Sequence, residues 1–293
     1  MAIFHMNFSN ISAGKGRSAV ASASYRSGEK LYSEMENKTY FYNRSVMPES
    51  FILLPENAPE WAKDRQKLWN EVEAVDRKVN SRYAKEFNVA LPIELSEDEQ
   101  KELLTEYVQK IFVDKGMVAD VAIHRDHDEN PHAHVMLTNR PFNADGSWGQ
   151  KAKKEYILDE NGNKTYTANG HARSRKIWLV DWDKVGKVEE WRKAWADHVN
   201  SVFQEKNIDE RISEKTLEAQ GINDIATQHV GVTGNRDERA EFNKLVLENR
   251  QHKAELENLD EKINNELKVK QLKNFYSFNE KKVIAELSKE LHT

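Results

Sequence analysis

Hydrophobic and polar positions change period several times along this chain, and each change marks an element. Residues Ala2 to Phe8 alternate enough to form a strand, and Ser12-Ala-Gly-Lys-Gly16 reads as a loop before a helix rich in Ala and Ser. Tyr25 falls near the C-terminal end of that helix, with Gly28 as its stop. Thr39 to Tyr42 and Ser50 to Leu54 are extended pieces, the second closed by Pro55. From Pro59 to about Lys78 the residues Trp61, Leu68, Trp69, Val72 and Val75 recur at helical spacing. Tyr83 to Pro92 reads as a central strand, and Ser96-Glu-Asp-Glu99 is a capping box opening a helix that ends at Gly116. Met117 to His124 and His132 to Thr138 are two strands around a polar loop.

Turn signals at Asp145-Gly146, Asn161-Gly162 and Asn169-Gly170 make residues 140–180 an irregular arm or small hairpin. An amphipathic helix follows, with Val185, Val188, Trp191, Trp195, Val199 and Val202 on one face. Beyond Gly234 the chain turns to Glu, Lys, Leu and Asn, and Leu256, Leu259, Ile263 and Leu267 mark a partial heptad seam in a separate helical tail. This order, with several connections short enough for antiparallel neighbours, favours an α+β sheet with helices packed on one face over a doubly wound parallel sheet. No internal repeat is visible.

Composition narrows the chemistry. With 293 residues the chain can hold one large domain or a domain plus an appendage. It has no cysteine, so disulfides, thiolate zinc sites and cysteine nucleophiles are excluded, and any metal must sit on His and carboxylate groups. The start shows no basic segment leading into an apolar stretch, and no run of about 18 apolar residues occurs, so a soluble, cytoplasmic protein without membrane insertion is expected. The net charge of −5 hides its distribution. Residues 140–180 carry eight Lys or Arg against four Asp or Glu, whereas residues 46–139 carry eleven against nineteen. A nucleic-acid site needs one positive face, not a basic whole; ordinary fluctuation of surface charge is the plain alternative.

Side chains alternate across a strand, so His132 and His134 share a face. If the loop from Arg125 to Pro131 closes a hairpin, His124 falls opposite His132 and the three imidazoles converge on one point, a facial metal site with open positions. His127, in the loop tip, and His171 read as solvated turn residues. Three neutral nitrogens suit zinc or nickel, while phosphate chemistry in a cell often recruits magnesium or manganese; the residues do not choose among these divalent ions. Such an ion beside a phosphodiester needs a nucleophile, and Tyr25 is offered by the small residues around it, Ala19, Ala21, Ser22, Ala23 and Ser24, which let a bulky partner approach. By itself a Tyr in such a helix is a packing or surface residue. Glu86, on the strand before Pro92, is a base or water-positioner, or else a solvent-facing strand carboxylate.

Several segments carry a resemblance. Ser-Ala-Val-Ala-Ser-Ala-Ser-Tyr25-Arg-Ser-Gly-Glu-Lys-Leu, Asp64-Arg65-x-x-Leu68-Trp69-Asn70, Glu86 with Ala90-Leu-Pro92-x-Glu94-Leu, and Asn130-Pro-His132-Ala-His134-Val-Met resemble the MobA/MobL family of plasmid mobilisation relaxases. Glu190-Trp191-Arg192-x-x-Trp195, Arg211-x-Ser213, Gln220-Gly221-Ile222 and Gln228-His229-Val-Gly231 extend the likeness to about residue 231, in the family's order. The resemblance implies an HUH endonuclease: a central five-stranded antiparallel sheet flanked by helices, a divalent metal on His124, His132 and His134, and Tyr25 as nucleophile, with Glu86 as the acid nearby. It further implies a nick in one strand at a plasmid's origin of transfer, a 5′-phosphotyrosine link and later rejoining without a nucleotide cofactor. The partners implied are origin DNA, as a single strand plus an adjacent hairpin, together with relaxosome accessory proteins and a secretion coupling protein. Arg26, Lys151, Lys153, Lys154, Arg173, Arg175 and Lys176 are the candidate DNA contacts.

On this reading residues 1–231 form the nicking domain, with the basic arm at about 140–180, and residues 232–293 form a helical tail for self-association or partner binding. A rolling-circle replication initiator shares the chemistry but usually places its tyrosine after the histidine pair. A His-liganded metallohydrolase using metal-bound water is the rival from another class, and in it Tyr25 is incidental. A non-enzymatic DNA-binding assembly protein with a degenerate site is the third reading.

Overall fold

The computed structural model describes residues 4–126, 130–228 and 234–290, apart from the side chains of 276 and 283–290. His127, Ala2 of the first expected strand and His229 to Gly231 of the motif series lie outside those residues. The chain divides into two compact units, Met1–Glu214 and Lys215–Thr293.

In the first unit, strand β1 (Met6–Ser12) leads through a short 3-10 turn to helix α1 (Ala19–Ser27) and a small antiparallel pair, β2 (Leu31–Ser33) and β3 (Lys38–Tyr40). Strand β4 (Glu49–Leu53), helix α2 (Arg65–Val75), strand β5 (Arg82–Ala90) and helix α3 (Glu97–Ile111) follow. Strands β6 (Ala119–His124) and β7 (His132–Thr138) form the expected hairpin, and β8 (Ala152–Tyr156) with β9 (Ser174–Trp178) form the arm's hairpin. Helix α4 (Lys187–Glu205) completes the unit. The main sheet has five strands in the order β1-β5-β7-β6-β4, every neighbouring pair antiparallel. The second unit is built on one long helix, α5 (Arg236–Glu290).

Helices cover both faces of the sheet, not one as the connection lengths suggested. Phe87, Val89, Val121, Ile123, Val135 and Leu137 meet Leu104, Tyr107 and Val108 of α3 and Trp191, Trp195, Val199 and Phe203 of α4. The alternate residues Ala84 and Met136 meet Ala19, Val20 and Ala23 of α1 and Leu68, Trp69 and Val72 of α2. Both residue sets of the central strands are apolar at one end, so leaving either face open would expose them.

Two helix boundaries differ from the periodicity. The stretch from Pro59 breaks into a 3-10 turn at Glu60–Lys63 and then α2, because Asp64 is extended and its side chain accepts from Lys67 N at 2.9 Å, capping a new helix. Helix α4 starts only after Gly186, which takes the left-handed conformation at φ 86°, so Val185 is 97% exposed and contributes nothing to the buried face. Among the described residues no helix is long and apolar enough to cross a membrane.

Candidate active site

The polar half of the alternation on β5, β6 and β7 faces α1 and α2. His124 pairs with His132 across the hairpin and Ala122 pairs with His134, so strand alternation brings all three rings to one face. Their centroids are 5.2 Å (His124 to His132), 5.0 Å (His124 to His134) and 5.3 Å (His132 to His134) apart. One ligand nitrogen from each lies within 4.8 Å of the others.

Neighbouring groups orient the rings. His124 Nε2 is 2.9 Å from the carbonyl of Arg26, and His132 Nδ1 is 2.9 Å from the carbonyl of Asn130. A ring nitrogen can meet a carbonyl only as N–H, which leaves Nδ1 of His124 and Nε2 of His132 with lone pairs. Burial, then the neighbouring His134, pulls the His124 pKa down to about 4, and burial likewise lowers that of His134, so both are neutral imidazoles at neutral pH, the form a metal takes. His134 Nδ1 faces Glu86 Oε1 at 3.5 Å, at the far limit of a hydrogen bond, and has no other hydrogen-bond partner. Three rings that each offer a nitrogen within 4.8 Å of the others, two of them with tautomers set by carbonyls, fit a divalent ion.

Glu86 lies on β5 beneath this cluster, opposite Met136 of β7. It receives a hydrogen bond from Ser9 Oγ at 3.2 Å, is paired with the Arg26 guanidinium, and has Arg17 Nη2 at 3.7 Å. Burial acts to raise its pKa, but His134 and Arg26 outweigh that and hold it at about 2. A carboxylate so acidic is a poor proton acceptor at neutral pH, and the geometry suits orienting His134 better. Arg26 itself is buried, with Nη1 donating to the Ser22 carbonyl at 2.7 Å. Arg26, a candidate DNA contact, has its guanidinium engaged within the protein, because it lies on the inner side of α1.

Tyr25 lies in the last turn of helix α1. The helix N-terminus is held from outside: Glu73 of α2 accepts from Ser18 Oγ at 2.9 Å and from the backbone N–H of Ala19 at 2.5 Å, while Ser18 caps Ala21 N at 3.1 Å. Its C-terminus stops at Gly28 in the left-handed conformation, φ 73°. The last turn ends against the cluster through the contact between Arg26 and His124, and Tyr25 is the preceding residue. The Tyr25 ring is 46% exposed, edge-on to Tyr42 with centroids 5.2 Å apart, and the Arg44 guanidinium stands 4.6 Å from its centre. Tyr25, Tyr40, Tyr42, Arg17 and Glu36 line a groove of about 380 Å³. Neither this groove nor a larger hollow of about 550 Å³ beside β4 and the start of α2 is lined by any of the three histidines.

Of the basic candidates, Lys153, Lys154, Arg173, Arg175 and Lys176 are brought together on the exposed arm hairpin. Lys154 faces Lys176 across the strand pair, Lys176 Nζ is 3.4 Å from the centre of the Trp178 ring, and Arg175 is paired with Glu155 at 2.5 Å. Lys151 stands apart, half-buried, with Nζ 3.3 Å from Asp76.

Sequence reasoning missed Glu73, Arg44 and a buried pair on the same face, in which Arg65 holds Asp120 with contacts of 2.8 to 3.0 Å and Trp69 Nε1 donates to Asp120 at 2.8 Å. One signal was present: Arg65, Trp69 and Glu73 are four residues apart, which puts two charges on the apolar face of α2.

The model of the MobA/MobL family matches residues 17–240. A conjugal transfer protein TraA of Rhizobium radiobacter is 35% identical over 251 residues, 82% of this chain and 22% of the relative. A probable mobilization protein MobA of Bifidobacterium longum is 34% identical, covering 82% of this chain and 45% of the relative. The chain thus spans less than half the length of either. A solved structure described as the molecular basis of vancomycin resistance transfer in Staphylococcus aureus aligns with a TM-score of 0.62 at 29% identity, covering 73% of this chain and all of that one.

Proposed function

Because the chain belongs to the MobA/MobL family, we propose that it nicks and rejoins one DNA strand at a plasmid's origin of transfer, with Tyr25 as nucleophile, and so begins conjugative mobilisation. The observation that carries this reading is the three-histidine cluster abutting the helix turn that bears Tyr25.

The Tyr25 oxygen attacks the scissile phosphorus, the bond to the 3′ oxygen breaks, the phenol proton is given up, and the departing oxygen takes a proton to become a free 3′-hydroxyl. The bond energy stays in the 5′-phosphotyrosine, so attack by a 3′-hydroxyl reverses the step. His124, His132 and His134 would hold a divalent ion, magnesium or manganese in the cell and zinc or nickel as the other fits to three nitrogens. When bound, such an ion neutralises a non-bridging phosphate oxygen as charge builds up. Glu86 orients His134 and Arg26 fixes Glu86, so both are positioning residues. Lys153, Lys154, Arg173, Arg175 and Lys176 contact the backbone of the origin hairpin, and binding therefore weakens steeply with salt. The reading assigns nicking to residues 1–231 and a separate helical role to residues 232–293, and it sets the protein in the cytoplasm among accessory proteins and a secretion coupling protein.

The test is incubation with end-labelled single-stranded origin DNA and manganese or magnesium. A labelled protein band that survives denaturing electrophoresis and disappears in Tyr25→Phe is expected. Cleavage undiminished in that variant, leaving a plain 5′-phosphate, would mean hydrolysis by metal-bound water instead.

A further inference from the structure

Helix α5 repeats an apolar residue every eleven positions: Leu245, Leu256, Leu267 and Phe278. Eleven residues are close to three full turns, so the four share one face, and Leu259 and Ile263 lie on the same stripe. All six are between 47% and 68% exposed. Within this unit the segment before the helix occupies another side. Arg250 Nε donates to Asp224 at 2.6 Å and Arg250 Nη2 to the Ile225 carbonyl at 2.7 Å, while Asn243 and Gln228 exchange hydrogen bonds of 2.7 Å. Asn243 and Arg250 are two turns apart on a face well away from the stripe.

The helix is also electrically divided. Residues 236–261 hold five Lys or Arg against eight Asp or Glu, and residues 262–290 hold seven against four. A parallel partner of the same sequence would set the acidic half against itself. An antiparallel one sets each acidic half against a basic half.

Four of the six stripe residues follow the same symmetry, with Leu259 and Ile263 one position off it. A two-fold axis between residues 261 and 262 brings Leu256 opposite the partner's Leu267 and Leu245 opposite the partner's Phe278. It also brings Asn249 opposite the partner's Asn274, a polar pair that fixes register because a slipped alignment would bury either amide against a leucine. We propose that a second copy of this chain docks antiparallel along this stripe, making the protein a dimer through α5.

The full chain has no cysteine, so introduced ones are unique. Sedimentation at micromolar concentration is expected to give twice the chain mass, and Leu256→Asp with Leu267→Asp to weaken the dimer at least about tenfold. Circular dichroism checks that the helix persists in the double variant. Under mild oxidation, Leu245→Cys mixed with Phe278→Cys is expected to form a linked pair while Leu245→Cys alone does not, a readout independent of the aspartates. A single-chain mass throughout, a dimer indifferent to the aspartates, or self-linkage of Leu245→Cys alone would each overturn the proposal. So would a monomer whose stripe serves only to hold DNA or a lipid vesicle, seen as co-sedimentation lost in the double variant.

Discussion

The two faces of the central sheet are made by alternate residues of the same strands and differ in kind. Toward α3 and α4 the strands present Phe87, Val89, Val121, Val135 and Leu137, closed by Trp191, Trp195 and Phe203. Toward α1 and α2 they present Glu86, Asp120, His124, His132 and His134, with Glu86 and Asp120 answered by Arg26 and Arg65. The difference teaches where each property resides. Burial of apolar area holds the first face together, whereas the second adds to its own apolar cluster around Ala84, Met136, Leu68 and Trp69 a set of charged groups taken out of water, and recovers part of that cost by pairing them.

The sharpest way to break this contrast is to empty the apolar face. Trp195→Ala removes a fully buried ring packed edge-on to Tyr107 and is expected to cost about 4 kcal/mol in denaturant unfolding, leaving little folded protein. Next is Asp120→Ala on the polar face, which strands the buried Arg65 and the Trp69 N–H and should cost about 3 kcal/mol; a neutral result would mean that water reaches Arg65. Glu73→Ala leaves the Ser18 hydroxyl and the Ala19 N–H without their acceptor and should cost about 2 kcal/mol. Because α1 carries Tyr25, that variant is also expected to lower the nicking rate more than a stability match elsewhere does.

His132→Ala sharpens the comparison from the other side. Removing this half-exposed proposed ligand should change stability without added metal by within about 0.5 kcal/mol, yet abolish the rise in melting temperature expected when manganese is added to the unaltered chain. The smallest effect is at the periphery. Glu49 is held below its ordinary value of 4.5, first by the Lys101 hydrogen bond, with Arg125 adding to it against burial. A depressed carboxyl contributes stability above that ordinary value and loses it as pH falls through the folded value. Lys101→Ala should therefore flatten the acid side of the stability curve, by less than about 0.5 kcal/mol since both side chains are largely solvated.

The polar face was only half legible in the sequence, and the reason is physical. Strand period and loop length are local, so the register setting His124 opposite His132 followed from the residues between them. The turn that stops α1 at Gly28 and the capping box at Ser96 and Glu99 were legible for the same reason. Contacts between distant segments were not. Nothing near Arg26 says that its guanidinium turns inward to Glu86, 60 residues away, and nothing near Tyr25 announces Arg44 over its ring. Coverage of both sheet faces is likewise a tertiary choice, forced by Ala84 and Met136 as much as by Phe87 and Val135.

Tyr42 touches Tyr25 edge-on in the same groove, so the identity of the nucleophile is the most exposed element of the proposed chemistry. Peptide mapping by mass spectrometry of the chain trapped on origin DNA tests it most directly. A nucleotide on Tyr25 and on no other tyrosine is the expected result; a nucleotide on Tyr42 or Tyr40, or cleavage with no adduct on the chain, would contradict it.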